Sequence, residues 1–197
     1  MASGHLSPLS SRRAFVGAIA AAGVTASART AFAADDAAPA GCGTDIGLDG
    51  PYDPANPFAQ ILRGTAPVSK AYEDEHVLAF MPLRMETNGH TLVISKTSKA
   101  RNILYIEPAD LARVMDVVQK VARGQRDAFK ADGMTVRQNN GTASDQTVAH
   151  LHFHVIPRYL KPPLPPFNPT RAEMDATAAL LAEAIKVLDE RKYHLPA

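Results

Sequence analysis

A short segment in which histidine alternates with apolar residues constrains the fold of this 197-residue chain more than any other feature. His150, His152 and His154 are separated by Leu151 and Phe153. Side chains alternate between the two faces of a β-strand, so the pattern predicts a strand with three imidazoles on one face and apolar residues on the other. The apolar face must enter a core. We therefore expect the histidine face to meet something polar: water, a metal ion or an anion.

Strand and helix patterns around this segment predict the rest of the fold. The predicted strands cover residues 70–73, 76–81, 90–95, 134–138 and 148–156. A short helical turn is predicted over 57–64, a long helix over about 108–130 and a last helix over about 170–191. Strands in sequence with an inserted helix predict an α+β fold with a mainly antiparallel sheet of about five strands.

The N-terminal part carries the features of a cleavable export signal, in the expected order. A pair of arginines, Arg12 and Arg13, precedes a small-residue apolar stretch over 16–28, and an Ala-x-Ala cleavage site ends at Ala33. Paired arginines in this position resemble a twin-arginine signal. We therefore expect a signal peptide over 1–33 and a mature protein that is periplasmic or secreted.

The remaining chain divides by composition. Residues 34–54 are small, polar and rich in glycine and proline, which predicts a flexible linker. A folded domain is predicted over 55–160, and a proline-rich segment followed by a C-terminal helix over 161–197. The one cysteine, Cys42, excludes an intramolecular disulfide and a multi-cysteine zinc site.

Charge and hydropathy exclude two classes of partner. The chain has 21 Lys+Arg and 20 Asp+Glu, a net charge of +1, whereas binding to a nucleic acid polymer needs a strong basic excess. No apolar run reaches the roughly 20 residues that cross a bilayer as a helix, so we expect no stable membrane insertion.

Three interpretations compete for the histidine row. Histidines at this spacing could ligate zinc or copper, in a metal-dependent hydrolase or a non-catalytic periplasmic binding protein. One imidazole could instead attack a phosphate, or the strand could be polar without a function. The loop before the row favours phosphate chemistry, because Asn139, Gln146 and Thr147 offer neutral donors and Asp145 is its only carboxylate.

Residues 146–158, which begin Gln-Thr-Val and contain all three histidines, resemble the signature of the histidine triad (HIT) superfamily of nucleotide hydrolases and transferases. The similarity covers about residues 56–160. It includes the Gly-His pair that ends at His90 and the Asn-Asn-Gly run that begins at Asn139. The resemblance implies a HIT-like fold, a small phosphorylated substrate of the nucleotide type and a homodimer, with neither metal nor cofactor.

The resemblance also implies a role for each matched residue. His152 matches the nucleophile that attacks the α-phosphorus, and the main chain of His150 is expected to hold the other ring nitrogen of His152. His154 and His90 match positions that contact the phosphate or the leaving group. The other substrate-binding residues implied by the match are Asn139, Gln146 and Thr147. The implied reaction is hydrolysis of a nucleotidyl phosphoramidate, phosphoanhydride or ester through a covalent intermediate on histidine.

Two positions depart from the family's pattern. Pro82 stands where the family commonly has Asp or Asn, which binds the ribose hydroxyls, and a proline side chain can neither donate nor accept a hydrogen bond. Glu86 or the C-terminal segment is the candidate replacement. Members that carry zinc have Cys-x-x-Cys where this chain has Asn-Pro-Phe-Ala from Asn56, so that metal site is not expected.

Overall fold

The structure, a computed structural model, describes residues 46–161 and 169–190. The predicted signal peptide, Cys42 and most of the proline-rich segment lie outside the described residues. Among the helices that are described, none is both long enough and apolar enough to cross a membrane.

The described residues form a five-stranded sheet and three α-helices. In chain order these are α1 Pro57–Leu62, β1 Lys70–Glu73, β2 Val77–Phe80, β3 Thr91–Ser95, α2 Pro108–Phe129, β4 Gly133–Arg137, β5 His152–Arg158 and α3 Arg171–Glu190. The strand order is β1-β2-β3-β5-β4, and every neighbouring pair is antiparallel. The predicted α+β fold with a five-stranded antiparallel sheet is confirmed.

Local sequence signals set the ends of the helices. The Asn56 side chain accepts hydrogen bonds from the N–H groups of Phe58 and Ala59 at 3.0 and 2.9 Å, which caps α1. Pro108 occupies the first turn of α2, where its missing N–H costs no helical hydrogen bond. Lys130 ends α2 in the left-handed conformation, with φ of 55°.

The two faces of the sheet carry cores of different size. Helices α2 and α3 cover one face, where Phe153 and Val155 of β5 enter the larger core. Helix α1 covers part of the other face. A smaller apolar cluster lies there, formed by Phe58, Leu78, Phe80, Leu92 and Ile94. By alternation along β5, His152 and His154 lie on this second face.

The surroundings of the histidine face differ from the polar environment that the alternation predicts. In register with β5, Leu92 pairs with His154 and Ile94 pairs with His152. Helix α1 adds the ring of Phe58, whose centroid lies 5.1 Å from that of His152. His152 is therefore only 3% exposed, and the row is set in a largely apolar surface.

Strand β5 begins later than predicted, at His152 instead of residue 148. The Leu151 N–H donates to the carbonyl of Ala100, and the ring Nε2 of His150 donates to the carbonyl of Ser95 at 3.2 Å. Ser95 is the last residue of β3, so a side chain occupies the acceptor with which a longer β5 would pair. His150 consequently precedes the strand, and only two histidines of the row lie in it.

The described end of the predicted linker is packed. Ile46 is 7% exposed, and its N–H donates to Thr142 Oγ1 at 2.7 Å. The Asn102 side chain donates to the Leu48 carbonyl at 2.6 Å. The composition of residues 46–54 predicts a free linker, but these main-chain contacts hold the segment against the domain.

Helix α3 belongs to the same core, although the sequence places a boundary at residue 160. Its buried residues are Met174, Thr177, Ala178, Leu181 and Ile185. The Cβ that an alanine would carry at Gly124 of α2 would lie 2.8 Å from atoms of Leu181 and Ile185, so the two helices pack closely. The predicted boundary does not separate two packing units.

Adjacent leucines of α3 test this packing. Leu181 is 0% exposed and Leu180 is 62% exposed. Leu181→Ala should lower the free energy of unfolding by about 2–5 kcal/mol because it opens a cavity in the core. Leu180→Ala, the matched control, should change it by less than about 0.5 kcal/mol. Urea unfolding followed by circular dichroism measures both; equal effects would contradict the placement of α3 in the core.

Candidate active site

His152 lies at the start of β5 with its ring held by main chain. Its Nδ1 is 2.7 Å from the carbonyl oxygen of His150. A carbonyl oxygen can only accept, so Nδ1 carries the proton and the neutral ring presents an unprotonated Nε2. This is the hydrogen bond that the resemblance implied, and it leaves Nε2 with the lone pair that a nucleophile needs.

The ring of His150 has a structural setting of its own. Its Nε2 donates to the carbonyl of Ser95, so Nδ1 is the acceptor for the hydroxyl of Tyr52, at 2.8 Å. The ring is 1% exposed, with the Phe58 ring 5.9 Å away. The carbonyl of His150 therefore orients the His152 ring, while the His150 imidazole is hydrogen-bonded to Ser95 at the end of β3 and to Tyr52.

His154 and His90 form a hydrogen-bonded pair beside His152. The N–H of Glu86 donates to Nδ1 of His90 at 3.2 Å, so His90 carries its proton on Nε2. That Nε2 lies 2.9 Å from Nδ1 of His154, which therefore accepts and keeps its own proton on Nε2. The His154 ring centroid is 5.0 Å from that of His152, so the pair borders the nucleophile.

Burial keeps all four imidazoles neutral. It lowers the pKa of His150 and of His90 from the ordinary 6.5 to about 4, and the pKa of His154 to about 3. Burial also lowers the pKa of His152, against the hydrogen bond to His150 that raises it. At neutral pH the site therefore presents unprotonated nitrogen instead of positive charge.

Gln146 braces the loop before β5. Its Oε1 accepts from the Gly141 N–H at 2.7 Å, and its Nε2 donates to the carbonyls of Arg101 and Val148 at 2.6 and 2.9 Å. Both amide hydrogens are thus used by main chain and the side chain is 3% exposed. The structure gives Gln146 a part in shaping the loop, with no amide hydrogen left for a substrate.

The two other loop residues implied by the match lie closer to solvent. Asn139 is half-buried and follows the end of β4, the neighbour of β5 in the sheet. Thr147 is exposed. The structure thus brings His152, His154 and His90 together.

An ion cluster that the sequence analysis missed adjoins the histidines. Arg137 and Arg158 donate to the two carboxylate oxygens of Glu86, the second at 2.7 Å. Arg158 also donates to Thr135 Oγ1 at 2.9 Å. Burial would raise the pKa of Glu86, but the hydrogen bonds from the two arginines outweigh it and hold that pKa below its ordinary value. Both carboxylate oxygens of Glu86 thus already accept from arginines, which limits Glu86 as a substitute for the ribose-binding residue that Pro82 replaces.

Two aromatic residues of the site were also missed. Tyr52 lies in the stretch predicted as linker, and Phe58 lies in α1, for which the sequence predicted only a short helical turn. The one available signal was that both are large aromatic side chains in a region otherwise rich in small residues. Their contacts with His150 and His152 make them part of the imidazole environment.

The donor set does not resemble a metal centre. Within residues 46–161 and 169–190, no three His, Cys, Asp or Glu side chains are grouped so as to hold a metal ion. The facing nitrogens of His90 and His154 are already satisfied by each other. The residues that replace the Cys-x-x-Cys of zinc-carrying relatives form the cap and first turn of α1.

Known proteins share this fold and this sequence pattern. A family model described as the HIT domain matches residues 63–161. Protein hit of Bacillus subtilis is 43% identical over 104 residues, which cover 53% of this chain and 71% of that protein. The structure also resembles a Hit-like protein involved in cell-cycle regulation from Bartonella henselae, with a TM-score of 0.64 and 42% identity. That match covers 68% of this chain and 98% of the other.

A zinc-bound histidine triad family protein from Mycobacterium smegmatis gives a TM-score of 0.62 at 35% identity, over 68% of this chain and 96% of the other. The family match spans half of the chain and includes β1 to β5 with all four site histidines. The chain therefore belongs to the HIT family, whose members are nucleotide hydrolases and transferases.

Proposed function

We propose that the protein hydrolyses a small nucleotidyl phosphoramidate, phosphoanhydride or ester through a covalent intermediate on His152. The observation that carries the proposal is the hydrogen bond from His152 Nδ1 to the carbonyl of His150. It places the proton away from the reacting side and leaves Nε2 with a lone pair. Membership of the HIT family supports the same chemistry.

The first step transfers the nucleotidyl group to the protein. The Nε2 lone pair of His152 forms a bond to phosphorus, and the bond from phosphorus to the leaving group breaks with its electron pair on that group. Nδ1 keeps its proton and becomes the N–H of a positively charged ring, which the His150 carbonyl stabilises. The remaining Nε2–H of His154 can donate to a phosphoryl oxygen, and His90 supports this orientation by donating to Nδ1 of His154.

The second step restores the enzyme. Water attacks phosphorus, the bond from phosphorus to Nε2 breaks, and its electron pair returns to His152. One proton of the water stays on the product as P–OH and the other is lost to solvent. A phosphorylated acceptor in place of water would make the same intermediate a nucleotidyltransferase.

We further propose that the mature protein acts as a homodimer outside the cytoplasm. β4 is an edge strand, and Val136 on it is 47% exposed. Met115 of α2 is 40% exposed as well, so apolar surface accompanies an unpaired strand edge. Export rests on the paired arginines and the cleavage site near Ala33.

A metal-dependent hydrolase or a metal-binding protein is the second candidate. The zinc-bound histidine triad protein of Mycobacterium smegmatis favours it, because that relative has a similar fold. In this chain the His90–His154 hydrogen bond opposes it, since a metal would have to displace that contact.

Removing the nucleophile should abolish turnover. His152→Ala should lower kcat on a nucleotidyl phosphoramidate or phosphoanhydride by about 10⁴-fold or more, because the unprotonated nitrogens of the other three site histidines already accept hydrogen bonds. His76→Ala, at a histidine next to β2 whose side chain is 36% exposed, is the matched control and should keep wild-type kcat. Hydrolysis at the wild-type rate by folded His152→Ala would falsify the nucleophile assignment.

The pH profile should show the lowered pKa of His152. Attack needs the neutral ring, so kcat/KM should be full above that pKa and decline as the pH falls through it. Because burial lowers the pKa, we expect the acid limb of kcat/KM against pH to have its midpoint below 6.5. A midpoint at or above 6.5 would contradict a buried, neutral nucleophile.

Chelation separates the two candidate functions. Protein dialysed against EDTA should keep its kcat/KM, since every step of the proposed reaction uses side chains and water. Activity lost on dialysis and restored by zinc, with stoichiometric zinc in elemental analysis, would support the metal-dependent alternative.

A further inference from the structure

Arg137 on β4 lies directly opposite His154 on β5 in the sheet. In the antiparallel register of β4 and β5 the two residues are direct partners. Direct partners project from the same face of a sheet, with Cβ atoms about 5 Å apart. The Arg137 side chain thus begins on the histidine face, one strand from the row that holds the nucleophile, and it is 42% exposed.

The imidazoles have no proton to spare for a leaving group. Glu86 N–H, His90 and His154 form a chain of donors that leaves one proton on each ring. If His154 gave up its Nε2 proton, it would become an imidazolate, which is far too basic to form at neutral pH. An amine leaving group needs a proton to depart, whereas a phosphate departs as an anion and needs positive charge nearby.

The cluster around Glu86 supplies that positive charge. Arg137 and Arg158 share the one carboxylate of Glu86, so two guanidinium groups face one carboxylate and a net charge of +1 remains. The positive charge of Arg137 also contributes to the lowered pKa values of His90, His152 and His154. Its field therefore reaches the histidine row.

We propose that Arg137 binds the departing phosphate and makes the site selective for anionic leaving groups. The preferred substrates are then phosphoanhydrides, in which the attacked phosphorus is linked through oxygen to a further phosphate. Phosphoramidates with an amine leaving group are the poorer class. This inference rests on the proposed function, since it assigns the leaving group of the same reaction.

The step balances without an acid. His152 Nε2 forms the bond to phosphorus, the bridging P–O bond breaks, and the bridging oxygen leaves with the electron pair as a phosphate anion. Arg137 N–H groups donate to oxygens of that anion, in a planar geometry that guanidinium and phosphate share. Part of the hydrogen bonding to Glu86 would be exchanged for contacts with the anion, while Arg158 retains the carboxylate.

The test compares two substrates that share one nucleotidyl group, a dinucleoside tetraphosphate and the corresponding nucleoside 5′-phosphoramidate. Arg137→Leu should lower kcat/KM about 10²-fold on the tetraphosphate, the loss seen when one donor to a developing anion is removed. On the phosphoramidate we expect less than about a threefold change, because no anion that Arg137 would stabilise departs from it. Arg137→Lys, which keeps the charge, should recover part of the loss.

Arg113→Leu is the matched control, because Arg113 is a similarly exposed arginine paired with Asp110 on α2. It should leave both substrates unaffected. In Arg137→Leu the acid limb of the pH profile should also move to higher pH, since the cation that disfavours protonated histidine is gone. Equal losses on both substrates, or no loss on either, would overturn the inference.

Calorimetric binding of inorganic diphosphate separates failure of this inference from failure of the proposed function. Wild type and His152→Ala should bind diphosphate with similar affinity, and Arg137→Leu should bind it about tenfold more weakly. Such binding without turnover of either substrate would refute the reaction and leave the anion site standing. Equal affinity of wild type and Arg137→Leu for diphosphate would refute the anion site, whatever the turnover.

Discussion

The structure of the site depends on the hydrogen bond between the carbonyl of His150 and Nδ1 of His152. A side chain can rotate away from a partner, but a carbonyl two residues earlier in the same chain is fixed by the path of the backbone. That path is held in turn by the His150 ring against Ser95 and by the Leu151 N–H against Ala100. The tautomer of the proposed nucleophile is therefore a property of the fold.

The apolar setting of the histidines follows from the same arrangement. Phe58 and the smaller core lie against rings that would be hydrated on an open strand. Exclusion of water disfavours the charged form of each imidazole and strengthens any interaction with charge that remains nearby. The imidazoles of the site therefore carry lone pairs and no charge, whereas the positive charge lies on Arg137 and Arg158 beside them.

Sequence patterns predicted most of the fold, and the failures have local causes. Alternation and helical periodicity placed β1 at residues 70–73 and α2 from Pro108, because each element follows its own hydrophobic period. They placed the start of β5 too early, because nothing in the alternation shows that the His150 ring takes the carbonyl with which the strand would pair. Arg137 and Glu86 are 51 positions apart, so their contact depends on strand order, which local patterns do not contain.

The hydroxyl of Tyr52 lies 2.8 Å from Nδ1 of His150, yet Tyr52 precedes the matched family region, which begins at residue 63. Phe58 precedes it as well. A recombinant fragment trimmed to the family limits would keep the four histidines of the site and lose the two aromatic neighbours that shield them. A comparison of homologous domains within those limits alone would therefore omit side chains that set the hydration and the pKa of the imidazoles.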